Sequence, residues 1–163
     1  MASMCQDADM CQAEMVGPVQ ESVGYVLKQA SAALRAGMDA ALRPLDLTVP
    51  QYVCLELLGQ RPGLSNAELA RGAFVTRQSM NGVLRGLQDR GLLTRPPTAE
   101  HGRARPSELT PPGRAQLAVA SAAVRAVEKR MFRPLSTDQQ RRLREDLAAC
   151  VDGVAAPTEP PPR

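Results

Sequence analysis

Three short signals constrain this chain more than anything else in it: Thr48-Val-Pro-Gln51, Ser65-Asn-Ala-Glu68 and Ser136-Thr-Asp-Gln139. Each is a capping box, in which a Ser or Thr hydroxyl and a Glu or Gln side chain three residues on satisfy each other's orphan amides at a helix start. Upstream, apolar residues at 23, 27, 30, 34, 38, 41 and 45 step by three and four, the stripe of one long helix over 20–45 with Pro44 in its last turn. The first box opens a helix to about Gly59 and the second a short helix to near Gly72, while Thr76 caps a fourth that reaches Arg90 and stops at Gly91. Residues 92–95 and 107–110 read as two short strands round a charged loop. Pro111-Pro112-Gly113 then starts an Ala-rich helix to about Phe132, and the third box opens a last helix with Leu143, Leu147 and Val151 inward. The predicted order is α-α-α-α-β-β-α-α: mainly α with a small β wing.

The 163 residues are enough for one domain with a sizeable core. Residues 1–18 lack helical periodicity and 154–163 are Pro-rich, so both are expected to be mobile tails around a domain at 19–153. Aromatic residues make up only 2% of the chain, which argues against a base-stacking single-strand binder. The net charge of +3 is small but unevenly spread. Residues 1–60 carry three cations against seven acids, a balance of −4, whereas 61–114 carry nine arginines against four acids, a balance of +5. A polyanion is therefore expected to meet the middle of the chain.

Other functions find little support. The four cysteines (5, 11, 54, 150) contain no CxxC and the one histidine, His101, is remote from them in sequence, so no metal site is expected. No phosphate-binding glycine motif, paired-carboxylate loop or nucleophile motif occurs, which argues against an enzyme and against a cofactor. Acids stand where a signal peptide needs cations, and no run of 18 apolar residues exists, so the expected location is cytoplasmic with no membrane partner.

The helix capped by Thr76 carries the most informative chemistry. By the 100-degree step, Met80, Val83, Leu84 and Leu87 share one face, leaving Gln78, Asn81, Gly82 and Arg85 on the other. Asn and Gln bond bidentately to adenine in the major groove and Arg to guanine, and Gly82 with Gly86 would let the helix approach closely. The same face could simply be solvated, but a glycine in a helix interior costs about 1 kcal/mol against alanine, which a plain surface does not repay. The loop 99–105, with His101, Arg103 and Arg105, has the size and charge of a wing lying on a phosphate backbone.

Leu47-Thr-Val-Pro-Gln-Tyr52, Leu69-Ala70, Val75-Thr-Arg-Gln78, Leu87-Gln-Asp-Arg-Gly-Leu92, Gly102-Arg-Ala-Arg105, Leu109-Thr110 and Gly113-Arg114, in this order and spacing, resemble the MarR family of bacterial transcriptional regulators. The resemblance covers about 20–153. It implies a winged helix-turn-helix in each subunit of a homodimer, with a DNA-binding lobe at about 48–110 and a dimer body from 19–47 and 111–153. It implies double-stranded DNA with a palindromic site as partner. Thr76, Arg77, Gln78, Ser79 and Asn81 would be groove residues, Ser65 and Asn66 phosphate contacts, and Arg103 and Arg105 wing contacts, with Arg85 beside them on the outer face.

The resemblance also implies release by a small amphipathic or aromatic molecule held between the dimer helices and the DNA-binding lobe. Tyr25, Met38 and Tyr52 are the candidates, as the larger side chains near that junction. The peroxide-sensing branch places a reactive cysteine in the opening turns of the first helix, where this chain has Gly24-Tyr25. A thiol-based regulator acting through Cys5 or Cys11 is the alternative within the fold, with Cys54 read as a buried structural residue, and a helical protein-interaction module is the alternative outside it.

Overall fold

Side-chain caps set the helix starts. In the computed structural model, which describes residues 18–94 and 107–155, a short turn at Val19–Glu21 leads into α1 (Val23–Leu42), α2 (Val49–Gln60), α3 (Asn66–Gly72) and α4 (Arg77–Asp89). A two-stranded antiparallel sheet follows, β1 (Leu93–Thr94) pairing with β2 (Glu108–Leu109) in the register Leu93 to Leu109 and Thr94 to Glu108, and then α5 (Pro111–Met131) and α6 (Thr137–Ala155). The three boxes all form. Thr48 and Ser65 each accept from the backbone N–H three residues on while the Gln51 and Glu68 side chains reach back, and Ser136 and Gln139 make the same reciprocal pair.

α1 stops short of the expected Leu45. Pro44 has no N–H to give to the helix ladder, so residues Arg43–Leu45 tighten into a 3-10 turn and Asp46 takes a left-handed conformation at φ 52°. Leu47 N–H then bonds to the Leu42 carbonyl and Asp46 N–H to that of Arg43, the paired bonds of a Schellman ending. α4 ends in the same way on Gly91, at φ 67°.

The core lies where α2, α3, α4 and the hairpin meet the middle of α5, with Leu42, Leu55, Leu69, Met80, Leu84 and Leu87 all fully buried. Met80, Leu84 and Leu87 are the inner face expected of α4, with Val83 half-buried at its margin. Truncating such a residue costs about 2–5 kcal/mol, so this face fixes which side of α4 looks outward. α1 packs along α5, closely enough that a Cβ at Gly37 would come within 2.7 Å of Val127. The wing is tied to α5 as well: Thr110 caps that helix and also donates to the Gly91 carbonyl at 2.7 Å, and a Cβ at Gly113 would collide with the Leu92 carbonyl oxygen.

One expectation fails. Leu143 is half-buried, Leu147 is 37% exposed and Val151 68%, so the stripe on α6 is not turned into its own chain. α6 projects away from the core, held at its start by Gln140, whose side chain donates to the carbonyls of Phe132 and Leu135. The tails assigned to 1–18 and 154–163 lie almost wholly outside the described residues, and α6 itself continues to Ala155. No described helix is long and apolar enough to cross a membrane.

Candidate nucleic-acid interface

α3 and α4 form a helix-turn-helix whose outward side is α4. Thr76, at its N-cap, accepts from the Ser79 N–H at 3.1 Å and donates its hydroxyl to Ser79 Oγ at 2.9 Å, so the two hydroxyls order the first turn. Arg77, Gln78, Ser79, Asn81 and Arg85 are all exposed on this helix, as is Gly82, where a Cβ would meet nothing within 4 Å. Gly86 departs from the expected low profile: it is half-buried, and its Cβ would lie 3.4 Å from the Gln51 side chain of α2. Four residues advance a helix by about 400°, which turns position 86 some 40° from position 82 and towards the flank of α2.

Ser65 and Asn66, the residues the resemblance assigns to phosphate, both make hydrogen bonds within the protomer. Ser65 is the N-cap of α3, donating its hydroxyl to Glu68 at 2.6 Å and accepting the Glu68 N–H. Hydrogen bonds from the Ser65 hydroxyl and its backbone N–H hold the Glu68 carboxyl below its usual value. Asn66 reaches across to α4, where its amide nitrogen donates to Asn81 Oδ1 at 2.6 Å. It therefore orients a candidate base-reading side chain, a role that no local spacing signals because the two residues are fifteen apart.

The arginines divide by what they touch. Arg61, Arg71, Arg77 and Arg85 are exposed around α3 and α4. Arg90 instead holds the Schellman turn, donating to the carbonyls of Asp46 and Leu45, and Arg114 donates to the Leu109 carbonyl at 2.8 Å. Arg103, Arg105 and His101 lie outside the described residues.

The three candidate ligand residues are not gathered into one site. Tyr25 is 39% exposed near the start of α1, whereas Met38 is thirteen residues further along the same helix, about 20 Å at 1.5 Å per residue. Met38 and Tyr52 both pack on the core. The Tyr52 hydroxyl is engaged by a cluster that the sequence reading missed: it donates to Glu56 Oε2 at 3.2 Å, Ser121 of α5 donates to the same oxygen at 2.7 Å, and Gln60 donates to Glu56 Oε1 at 2.9 Å. Burial alone would push the Glu56 carboxyl up, but the bonds from Ser121, Gln60 and Tyr52 outweigh it and leave the group below its usual value. Burial, reinforced by the Glu56 charge, pushes the Tyr52 phenol up. Tyr52, Glu56 and Gln60 step by four along α2, a signal present in the sequence, but only the fold brings Ser121 to them. Cys54 is fully buried and Cys150 exposed on α6, while Cys5 and Cys11 lie outside the described residues. Among the described residues, no group of three or more His, Cys, Asp or Glu is placed to hold a metal ion.

Known proteins share this arrangement. The MarR family model matches residues 45–104, the stretch that holds α2, α3, α4 and the start of the wing. The HTH-type transcriptional repressor Rv2887 of Mycobacterium tuberculosis is 49% identical over 125 residues, which span 77% of this chain and 90% of the repressor. Rv2887 solved in complex with DNA superposes with a TM-score of 0.67 at 46% identity, covering 79% of this chain and 97% of that one. Its complex with salicylic acid gives 0.66 at 47% identity, covering 79% and 96%. Identity of this extent over most of both chains, on a fold that carries a helix-turn-helix, a hairpin and flanking long helices, places this chain in the MarR family.

Proposed function

We propose that this protein is a homodimeric, sequence-specific DNA-binding transcriptional regulator, a repressor released by a small amphipathic or aromatic ligand, and not an enzyme. The observation that carries the reading is the outer face of α4, where Arg77, Gln78, Ser79 and Asn81 stand exposed behind a Thr76 cap and Asn81 is braced by Asn66. Exposed Asn, Gln and Arg on a helix whose other face is locked into the core are the donors and acceptors that read base edges. Arg85 and the wing residues Arg103 and Arg105 contact phosphates or the adjoining groove, and Ser65 presents the start of α3 to the backbone. The name of Rv2887 and its complex with DNA support this reading, and its complexes with salicylic and p-aminosalicylic acids support an aromatic effector. A repressor of this kind works in the cytoplasm, where its DNA is.

Two copies joined through their outer helices present two α4 helices to successive major grooves. The preferred site is then a palindrome with half-site centres about 10 bp apart. Selection of bound duplexes from random DNA tests this directly: enrichment of such palindromes is expected, and enrichment of none, or of single non-palindromic sites only, would reject it.

A further inference from the structure

Phe74 stands where no packing among the described residues rewards it. In the turn between α3 and α4, Val75 N–H bonds to the Ala70 carbonyl at 3.0 Å and Phe74 N–H to the Arg71 carbonyl at 3.2 Å. This is the same ending seen at Asp46 and Gly91, and its left-handed position normally takes glycine or a short polar residue. Phe74 adopts it, at φ 54°, with a bulky side chain that is 95% exposed. The backbone is strained and the ring is left almost wholly exposed. Strain of this kind persists where a site uses it.

The surroundings of the ring identify what covers it. Arg71 lies three residues before Phe74 and Arg77 three residues after, and both are exposed. Three residues of chain reach at most about 10 Å, so the ring is adjacent to the first turn of α4 and flanked along the chain by two cations. An apolar ring between cations, two residues before the N-cap of the helix proposed to enter the major groove, matches a surface that is anionic at its edge and carries an apolar group within. In the major groove that group is the thymine C5-methyl. We infer that Phe74 is a specificity-determining residue that reads a thymine methyl at the edge of the groove entered by α4.

This rests on the DNA-binding reading above, and the test separates the two. The full chain is titrated against its selected palindrome, then against duplexes in which each thymine of the half-site is replaced in turn by deoxyuridine, which removes only the methyl. The same series is run with Phe74→Gly and Phe74→Asn, both suited to the left-handed turn, the second without the added flexibility of glycine. The wild type should lose about fourfold in affinity at one thymine, the effect of one methyl group withdrawn from an apolar contact. Both variants should bind the thymine duplex more weakly and be indifferent to deoxyuridine at that position, and both should melt no lower than the wild type. Variants that match the wild type on every duplex would overturn the inference and leave Phe74 to a protein partner. Equal loss on palindrome and random DNA would overturn it in favour of a sugar or phosphate contact. A wild type that selects no duplex at all defeats the DNA-binding reading itself, and this inference with it.

Discussion

Asn66 of α3 donates its side-chain amide to Asn81 Oδ1 on α4 across 2.6 Å. The bond leaves the Asn81 NH2 group free to point outward as a donor while its oxygen keeps a second lone pair, the combination that adenine N7 and N6 require. Asn66 also donates weakly to the Arg77 carbonyl at 3.5 Å, and its own Oδ1 is buried with no hydrogen-bond partner among the described residues. Asn81→Ala should therefore cost about 1–3 kcal/mol on the selected palindrome and little on random DNA. Asn66→Ala should cost about 1 kcal/mol on the palindrome alone, and the double variant should lose less than the two single losses together. Additive losses in that cycle would show that Asn66 acts independently of Asn81.

A second cross-element bond ties α2, which packs against α3 and α4, to the long helix α5. Ser121 on α5 donates to Glu56 on α2 at 2.7 Å, beside Tyr52. Since these bonds hold the folded-state carboxyl below its unfolded value, the stability they contribute is present above about pH 4.5 and is lost as the pH falls through the lower, folded-state value. Ser121→Ala should destabilise by about 1 kcal/mol at pH 7, a bond to a charged but partly solvated group, and by less at pH 3. Urea titrations across that range read the difference. A penalty that stays the same at both pH values would assign the loss to packing and not to the carboxylate.

The helix starts were legible because a cap is a local device: a hydroxyl and the amide three residues on belong to one turn, and Thr48, Ser65, Thr76 and Ser136 all do what their spacing implies. The inner face of α4 was legible for the same reason. What could not be read locally was the partner of each face. Periodicity marked Leu147 and Val151 as apolar but not whether their own chain covers them, and nothing local showed that the Asn66 amide crosses to another helix. Glu56 was invisible as a site because its significance depends on Ser121, 65 residues away. Phe74 carried no signal at all, since a phenylalanine at a helix end acquires meaning only once its φ and exposure are known.

Two arginines five residues apart, Arg85 within α4 and Arg90 at its C-cap, should behave differently. Arg85 is exposed and makes no hydrogen bond among the described residues, whereas Arg90 donates to the Asp46 carbonyl at 2.5 Å and braces the turn after α1. Arg85→Ala should flatten the slope of log K against log salt by about 1 and leave the melting temperature in place, and Arg105→Ala in the wing loop should do the same. Arg90→Ala should destabilise by about 1 kcal/mol through the lost carbonyl contacts. Thermal melts and binding measured at several salt concentrations on the three variants separate these outcomes, and a stability loss for Arg85→Ala would place it with the structural arginines.

The exposed apolar residues at the ends of the long helices bear on assembly. Leu147, Val151 and Val154 follow one another at intervals of four and three on α6, at 37%, 68% and 88% exposure, and Val23, Val26 and Leu27 form a second patch near the start of α1 at 81%, 51% and 45%. Contiguous apolar surface of this kind is a mark of association. In the proposed dimer a second copy covers it, so Leu147→Glu together with Val151→Glu would set carboxylates against apolar surface at the interface, where an unpaired charge is costly. Sedimentation should then show monomers at concentrations where the wild type is dimeric. The core of α2, α3 and α4 does not involve these residues, so the double variant should stay folded as read by far-ultraviolet circular dichroism. It should also lose affinity for the palindrome far more than for an isolated half-site, because two helices no longer reach two grooves as one body. A variant that remained dimeric with unchanged palindrome affinity would place the subunit interface elsewhere on the chain.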